Sequence, residues 1–435
     1  MKKLLSWMSL CLLVWVLTAC MGSEPSSQPG DGSSDGEVTV TFSYWGATFD
    51  KERMEAIRAE FEKVNEDINV ELVNLPSEGY SQKQMTMMTA GNPYDVIQLA
   101  EQSYAFAARG TLEDLSPYIE RDGVDLNDFY DVGIESYTHE GRVYGMPLRL
   151  GSMMMFYNKN LFDEHGLDYP DETWTWEDVI EAGEVITDHD EGVFGLSALG
   201  GWWASIAQFL HSNGGSILSE DRTAFNLDSP ESLAAIELMN EIVNERDISP
   251  SASQIPEGVD LWTSGRIGMM VDGPWHILSS QANITDFDWD ITVAPKGTQH
   301  ASPTFSNAFH MSKASKNKEA AWEVIKFWTG PEAQAILAEE HGDTPSMIAV
   351  AESDTYLELG DNPPENFELM LESLNTAFAP EVTLMWGEIN QVVQEGFSRV
   401  IDLNEPIEDV MPDVKSEVED LLEEDKRLQE QFEED

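Results

Sequence analysis

The sequence predicts an α/β fold built on a parallel sheet, because strand and helix patterns alternate along its first hundred residues. Strand, helix, strand, helix and strand are predicted in turn over residues 38–42, 50–65, 68–72, 80–89 and 95–99. In the first helix Met54, Ile57 and Phe61 recur at helical spacing, so one face is apolar. Short connections between such elements favour a parallel arrangement of the strands.

The loops after these three strands are the first candidates for a ligand site. Sheets of this type bind ligands beyond the carboxyl ends of their strands. We therefore expect residues 44–46, 76–80 and 100–104 to line one side of a cleft.

The size and charge of the chain limit its partners. It has 435 residues, with 24 Lys and Arg against 81 Asp and Glu, and its formal net charge is −57. The length predicts two or three domains at roughly 100–200 residues each. Nucleic acids and anionic lipid surfaces are polyanions, so neither is an expected partner. Electrostatic repulsion among so many negative charges indicates that the protein functions in brine or in an alkaline, salty medium, where salt screens the charges.

The N-terminus predicts an export signal. Two lysines precede the apolar run 4–17, which is too short to span a membrane comfortably. The run ends in residues 17–20 (LTAC), which resemble a bacterial lipobox. The resemblance implies a signal peptide at 1–19 and a diacylglyceryl group on Cys20 that anchors the protein to the membrane. An ordinary secretory signal that happens to contain a cysteine is the alternative.

A tether is predicted directly after the anchor, within residues 20–36. Residues 22–36 carry no large apolar side chain and are rich in Gly, Ser and Pro, which is typical of a flexible linker. Once the signal is removed, Cys20 is the one cysteine left in the sequence. No disulfide and no cysteine-based metal site is therefore expected.

The remainder of the chain shows two further patterns. The region 150–295 is helix-rich, and Thr175 with Asp178 predicts a capped helix start. The tail over 412–432 has apolar residues on one helical face, which favours docking against the body over binding of a partner coil.

Motifs for enzyme chemistry are missing from the sequence. It contains no G-x-S-x-G elbow, no phosphate-binding G-x-x-x-x-G-K-[ST] loop and no H-E-x-x-H pair. The eight histidines have no metal-ligand spacing, so we expect no metal site. Because the enzyme motifs are also missing, we expect no cofactor and no catalytic residue. A glycosidase needs only two suitably spaced carboxylates, and 81 acidic residues neither locate nor exclude such a pair.

Six segments, in order, resemble the extracellular solute-binding proteins (family 1, sugar-binding lipoproteins) of ABC importers. They are residues 90–96 (AGNPYDV), 106–115 (FAARGTLEDL), 141–147 (GRVYGMP), 156–178 (FYNKNLF, then Pro170 and TWTWED), 265–275 (GRIGMMVDGPW) and 320–334 (AAWEVIKFWTGPEAQ). Gly268 stands where alanine is usual in the family. Each motif is weak alone, and the region after 345 matches only loosely.

The resemblance implies a two-lobed periplasmic-binding-protein-like fold, with a hinge and an interlobe ligand cleft that closes around a sugar. Carried over to this chain, lobe 1 comprises 37–148 and 296–345, and lobe 2 comprises 149–295 and 346–435. The protein would then capture a di- or oligosaccharide outside the cell and deliver it to the permease subunits of an ABC transporter.

Candidate ligand-binding residues follow from the chemistry of sugars. Aromatic rings suit the C–H faces, and carboxylates and amides bind the hydroxyls. The candidates, taken from the loops and from the resemblance, are Trp45, Tyr80, Glu101, Gln102, Arg149, Trp202, Trp203, Trp275 and Trp386. Core packing is the alternative for each tryptophan and is favoured for Trp174, Trp262, Trp289, Trp322 and Trp328. A structural salt bridge is the alternative for Arg149.

Two other functions remain open from the sequence. One is a secreted glycosidase or polysaccharide lyase, which would convert an oligosaccharide. The other is a receptor for a non-sugar solute such as a peptide or a glycerophosphodiester.

Overall fold

Two β-sheets, each flanked by helices, organise the chain in the computed structural model, which describes residues 38–46, 48–197, 202–359 and 362–434. The strands in this part of the chain are β1 (Val38–Trp45), β2 (Ile68–Leu75), β3 (Val96–Leu99), β4 (Thr138–His139), β5 (Arg142–Val143), β6 (Gly145–Ser152), β7 (Met154–Asn158), β8 (Phe194–Ser197), β9 (Ile267–Asp272), β10 (Trp289–Val293), β11 (Ser302–Met311), β12 (Thr344–Pro345) and β13 (Ala377–Phe378).

The α-helices of the described residues are α1 (Thr48–Val64), α2 (Tyr80–Thr89), α3 (Ser103–Ala108), α4 (Ser116–Asp122), α5 (Asp131–Glu135), α6 (Lys159–His165), α7 (Trp176–Ile186), α8 (Trp203–Ser212), α9 (Pro230–Asn240), α10 (Trp275–Asn283), α11 (Lys318–Trp328), α12 (Pro331–Glu339), α13 (Ile348–Ala351), α14 (Asp354–Leu357), α15 (Leu369–Ser373), α16 (Trp386–Ile401) and α17 (Ile407–Glu434).

The first sheet has the order β12-β6-β11-β3-β1-β2, with β13 beside β11. Strands β1, β2 and β3 are parallel, as the sequence predicts, and β11 joins them antiparallel to both β3 and β6. The buried residues beneath this sheet include Met54, Ile57 and Phe61 of α1, so the predicted apolar helix face is confirmed.

The first sheet forms the centre of the first lobe. The second sheet has the order β10-β7-β9-β8 and forms the centre of the second lobe. The chain passes from the first sheet to the second between β6 and β7, through the buried residue Met153. Helix α7 begins at the predicted cap, where Thr175 and Asp178 each accept a hydrogen bond from the other's backbone N–H. The capping prediction is confirmed.

The C-terminal helix α17 packs against the second lobe. Its residues Val410, Val414, Val418 and Leu422 are buried in the same apolar core as α8 and α16. The predicted docking of the tail is therefore confirmed, although the helix begins five residues earlier than the pattern of 412–432 indicates.

Core tryptophans occur in both lobes. Trp322 and Trp328 are fully buried under the first sheet, and Trp262 and Trp289 are buried beside the second. Trp174 is only partly buried, but it also packs against a core. The prediction that these five tryptophans pack in the core is therefore confirmed.

Candidate functional site

A cavity of about 660 Å³, which we call the cleft cavity, lies between the loops that follow β1–β3 and those that follow β8 and β9. Its volume is in the range of small-molecule sites in proteins, about 300–1,000 Å³. The crossing strands β6 and β11 contribute part of its lining through Arg149, Leu150 and residues 305–307.

The first wall of the cleft cavity is formed by residues that follow the parallel strands. Trp45 is predicted in the loop just past the first strand, but β1 extends further and Trp45 is its last residue; its ring centroid lies 4.9 Å from that of Tyr80. The Tyr80 hydroxyl donates to the carbonyl oxygen of Ser43 at 2.9 Å, so the ring is held in one orientation. This wall therefore presents a fixed aromatic pair.

Two polar side chains follow β3 on the same wall. The Gln102 amide donates to Oε1 of Glu101 at 3.1 Å, and its oxygen accepts from the backbone N–H of Ala100 at 3.3 Å. Burial raises the pKa of the Glu101 carboxyl above its usual value. The pair offers directed donors and acceptors within a desolvated setting, where hydrogen bonds are stronger than in water.

The opposite wall is an aromatic group of three rings. Trp202 stacks on Phe305, with centroids 5.0 Å apart and ring planes at 22°, and Trp275 meets both rings edge-on. Trp275 begins α10 directly after Gly273 and Pro274, and a Cβ at position 273 would overlap the Trp275 ring. Glycine at this position is therefore required by the placement of Trp275, which remains 39% exposed.

Arg149 lies at the base of the cleft cavity between two carboxylates. Its Nη1 donates to Oδ1 of Asp50 at 3.0 Å and to Oδ2 of Asp343 at 2.6 Å. Asp50 also accepts from Arg53, which binds Glu340 in turn. Burial lowers the pKa of Arg149, but the carboxylates of Asp343 and Asp50 more than offset this, so the pKa is raised.

The ion pairs of Arg149 connect three segments that are distant in the sequence, at the start of α1, in β6 and just before β12. The structural salt bridge and a place beside the ligand are thus compatible for this residue.

A further carboxylate stands at the end of β9. Asp272 accepts from the backbone N–H of Gly273 at 2.7 Å, and its Oδ2 lies 3.1 Å from Nε2 of His276. The lining of the cleft cavity thus includes four carboxyl groups and one guanidinium, so an anionic ligand would meet net repulsion.

The structure brings seven of the nine candidates together around the cleft cavity: Trp45, Tyr80, Glu101, Gln102, Arg149, Trp202 and Trp275. Trp203 and Trp386 are placed elsewhere, since they are 2% and 5% exposed and pack on each other in the core of the second lobe. Trp203 is the first residue of α8 and is buried behind the cavity wall, where its ring meets those of Trp202 and Phe305 edge-on at centroid distances of 5.7 Å and 5.9 Å.

Several lining residues were not found by sequence reasoning, among them Asp50, Asp272, Phe305, Asn307 and Asp343. Asp272 had a usable signal, because it stands directly before the Gly273–Pro274–Trp275 segment. Phe305 and Asn307 both lie on β11. The alternation of side chains along a strand shows which residues share a face, but it does not show that this face borders a cavity.

Cys20, the predicted lipid anchor, the signal at 1–19 and the tether lie outside the described residues, as does the 198–201 loop before Trp202. Within the described ranges no helix is long and apolar enough to cross a membrane. The same ranges contain no cluster of three or more His, Cys, Asp or Glu that could hold a metal ion.

Comparison with known proteins identifies the family. The model of the family described as bacterial extracellular solute-binding protein matches residues 46–335, which is two thirds of the chain. The chain belongs to this family. The predicted resemblance and the two-lobed α/β fold are therefore confirmed, and the family implies an extracellular or periplasmic location.

Relatives of this solute-binding protein have similar lengths. A galactooligosaccharide-binding protein of Bacillus subtilis (strain 168) is 25% identical over 414 residues, covering 91% of this chain and 92% of that protein. A lactose-binding protein of Rhizobium radiobacter is 24% identical over 341 residues, covering 74% and 77%.

Among solved structures, an ABC substrate-binding protein of Listeria monocytogenes in complex with cycloalternan superposes with a TM-score of 0.79. The two are 27% identical, and the match covers 92% of this chain and 98% of that one. All three of these relatives are binding proteins.

Proposed function

We propose that this solute-binding protein captures a neutral di- or oligosaccharide in the cleft cavity and delivers it, unchanged, to the permease subunits of an ABC transporter. The observation that carries the proposal is the composition of the cavity, in which tryptophans on facing walls stand beside carboxyl and amide groups. Stacked rings fit the C–H faces of a pyranose, and the polar groups fit its hydroxyls. The sugars named for the relatives support the same ligand class.

The four carboxyl groups in the lining favour a neutral sugar over an acidic one. Hydrogen bonds from hydroxyls to ionised carboxylates are among the stronger hydrogen bonds in proteins. A micromolar dissociation constant corresponds to about −8 kcal/mol, which several such bonds and two ring contacts can supply. A glycerophosphodiester would bring a negative charge into an acidic cavity, so the proposal disfavours it.

Thermal unfolding of residues 21–435 in molar salt tests the proposal. We expect one class among short gluco-, galacto-, xylo- and arabino-oligosaccharides to raise the midpoint, because a ligand at 100 times its dissociation constant adds about 2.7 kcal/mol. Peptides should leave the midpoint unchanged, and chromatography should recover the sugar intact. Stabilisation by peptides alone, or cleavage of the sugar, would contradict the proposal in favour of one of the two other functions.

We also propose that the lobes divide at the predicted positions, 37–148 with 296–345 and 149–295 with 346–435, and that they close around the sugar by a hinge. The two sheets support this division with two exceptions: β6 continues in the first sheet as far as Ser152, and β13 of the 346–435 segment pairs with β11 of the first sheet. The connections between the sheets, including Met153, are where the backbone would turn.

A lipid anchor at Cys20 would hold the protein on the outer face of the cell membrane, or in the periplasm of an organism with an outer membrane. The sequence pattern of residues 1–20 supports this part of the proposal. We expect mass spectrometry of protein extracted from membranes to find an N-terminal Cys20 with a diacylglyceryl group. A protein secreted with an unmodified N-terminus would contradict the anchor.

Adaptation to high salt is the final part of the proposal, and the net charge of −57 supports it. Raising the salt from 0.1 M to 1 M shortens the Debye length from about 10 Å to about 3 Å, which weakens repulsion among surface carboxylates. We expect the unfolding midpoint to rise by several degrees over this range of sodium chloride. Equal midpoints in dilute buffer and molar salt would contradict the adaptation.

A further inference from the structure

Asn307 lines the cleft cavity from the crossing strand β11. Its Oδ1 accepts a hydrogen bond from the Gln98 amide at 3.1 Å. Because the oxygen of the Asn307 amide is bound in this way, its NH₂ group points elsewhere, and it has no hydrogen-bond partner among the described residues. The two N–H donors of Asn307 are therefore free to bind a molecule in the cavity.

Gln98 is the one polar residue of β3, whose other residues are Val96, Ile97 and Leu99. It is 5% exposed and lies in the interior of the first sheet, between β1 and β11. Burying an amide costs free energy unless the amide is hydrogen-bonded. The side-chain hydrogen bond of Gln98 within the described residues is the one that it donates to Asn307, and this bond determines which end of the Asn307 amide is left for the cavity.

Arg149 is the direct partner of Asn307 in the antiparallel pair of β6 and β11. Side chains directly opposite each other in such a pair lie on the same face, with Cβ atoms about 4.5–5.5 Å apart. The register shifts immediately after Asn307, since Ala308 pairs with Pro147 and Leu148 has no opposite residue on β11. Irregularities of this kind change the direction of nearby side chains and are frequent next to active sites.

The Arg149 guanidinium uses one nitrogen for both of its ion pairs. Nη1 donates to the carboxylates of Asp50 and Asp343. Nε and Nη2 make no hydrogen bond within the part of the chain that the structure describes, so their N–H groups remain for a ligand. Arg149 and Asn307 therefore form a pair of adjacent donors at the base of the cleft cavity.

The carboxyl groups on the walls have the opposite polarity. Glu101 accepts from the Gln102 amide, and Asp272 accepts from the backbone N–H of Gly273. An ionised carboxylate accepts hydrogen bonds but donates none. A sugar in the cleft cavity therefore meets acceptors for its hydroxyl protons at the walls and donors to its oxygen lone pairs at the base.

We propose that Asn307 and Arg149 donate hydrogen bonds to neighbouring oxygens of the sugar, and that Gln98 is the positioning residue that turns the Asn307 amide towards them. Gln98 does not line the cleft cavity, so it acts through Asn307 and does not itself touch the sugar. This inference rests on the proposed sugar-binding function and adds to it the polarity of the site.

Calorimetric titration in molar salt tests the inference. The probes are maltotriose, galactotriose, xylotriose and arabinotriose, and the one that binds the wild type most tightly is used for the variants. Asn307→Asp keeps the oxygen that Gln98 binds but replaces the NH₂ donor with an acceptor, so the affinity should fall about tenfold or more. Asn317→Asp is the matched control, because its amide donates to the carbonyl oxygen of Thr39 at the end of β1 far from the cleft cavity. It should bind like the wild type.

A second pair of variants separates positioning from a general structural role. Gln98→Met has a similar length but cannot hold the Asn307 amide, so the affinity should fall about threefold or more. In an Asn307→Ala background the same change should alter the affinity less than about twofold, because no amide is left to be oriented. The unfolding midpoint of each variant shows whether it is folded.

The outcomes separate the inference from the function on which it rests. Wild-type affinity in Asn307→Asp, or an effect of Gln98→Met that is absent or is equal in both backgrounds, overturns the inference and leaves sugar binding intact. If none of the four trisaccharides binds the wild type, the proposed function fails and the inference fails with it. Should Asn307→Asp not fold, the comparison of Gln98→Met in the two backgrounds decides.

Discussion

Replacing Trp275 with alanine should weaken sugar binding at least tenfold, a loss of about 1.4 kcal/mol or more. Trp275 is 39% exposed and lines the cleft cavity, where its ring meets those of Trp202 and Phe305 edge-on. Its removal takes away a stacking surface and admits water beside the ligand. Titration of the wild type and the variant with the stabilising sugar measures the effect.

Tyr169→Ala is the matched control for this substitution. Tyr169 is 38% exposed, nearly the same as Trp275, but it packs near Tyr157 and Phe162 and does not line the cleft cavity. We expect the control to bind sugar like the wild type. Unchanged affinity in Trp275→Ala would remove this residue from the binding site.

Replacing Arg149 with methionine should lower the free energy of unfolding by about 3 kcal/mol. Arg149 is the shared partner of Asp50 and Asp343, and all three side chains are at most 20% exposed. Without the guanidinium, Asp343 loses its ion pair in a desolvated position, while Asp50 retains its contact with Arg53. Urea unfolding of the two proteins at neutral pH in molar salt measures the difference.

Arg142→Met removes the same charge from an exposed site. Its side chain is 59% exposed and lies 4.0 Å from Asp114, so the loss should be within about 0.5 kcal/mol. If Arg149→Met were as stable as Arg142→Met, the buried ion pairs would not hold the three segments together.

Local patterns predicted the framework of the protein well. The strands β1 to β3, helix α2 and the cap of α7 depend on neighbours a few residues away, and the structure confirms each of them. The loops after these strands then placed Trp45, Tyr80, Glu101 and Gln102 correctly at the cleft cavity, because the ends of parallel strands meet at one edge.

What the sequence could not separate were residues whose surroundings come from distant segments. Trp202 and Trp203 are neighbours, yet one borders the cavity and the other packs on Trp386, which is 183 residues further along the chain. Asp343 likewise meets Arg149 across 194 residues. Such contacts depend on how the lobes pack, and no local spacing reports them.

A crystal structure of the protein grown with the sugar that stabilises it most would show whether the cleft cavity is the binding site. We expect the sugar in the cleft cavity, with one ring against Trp275 and hydroxyls within hydrogen-bond distance of Glu101 or Asp272. A sugar bound elsewhere, or an unoccupied cavity at a saturating sugar concentration, would contradict the account.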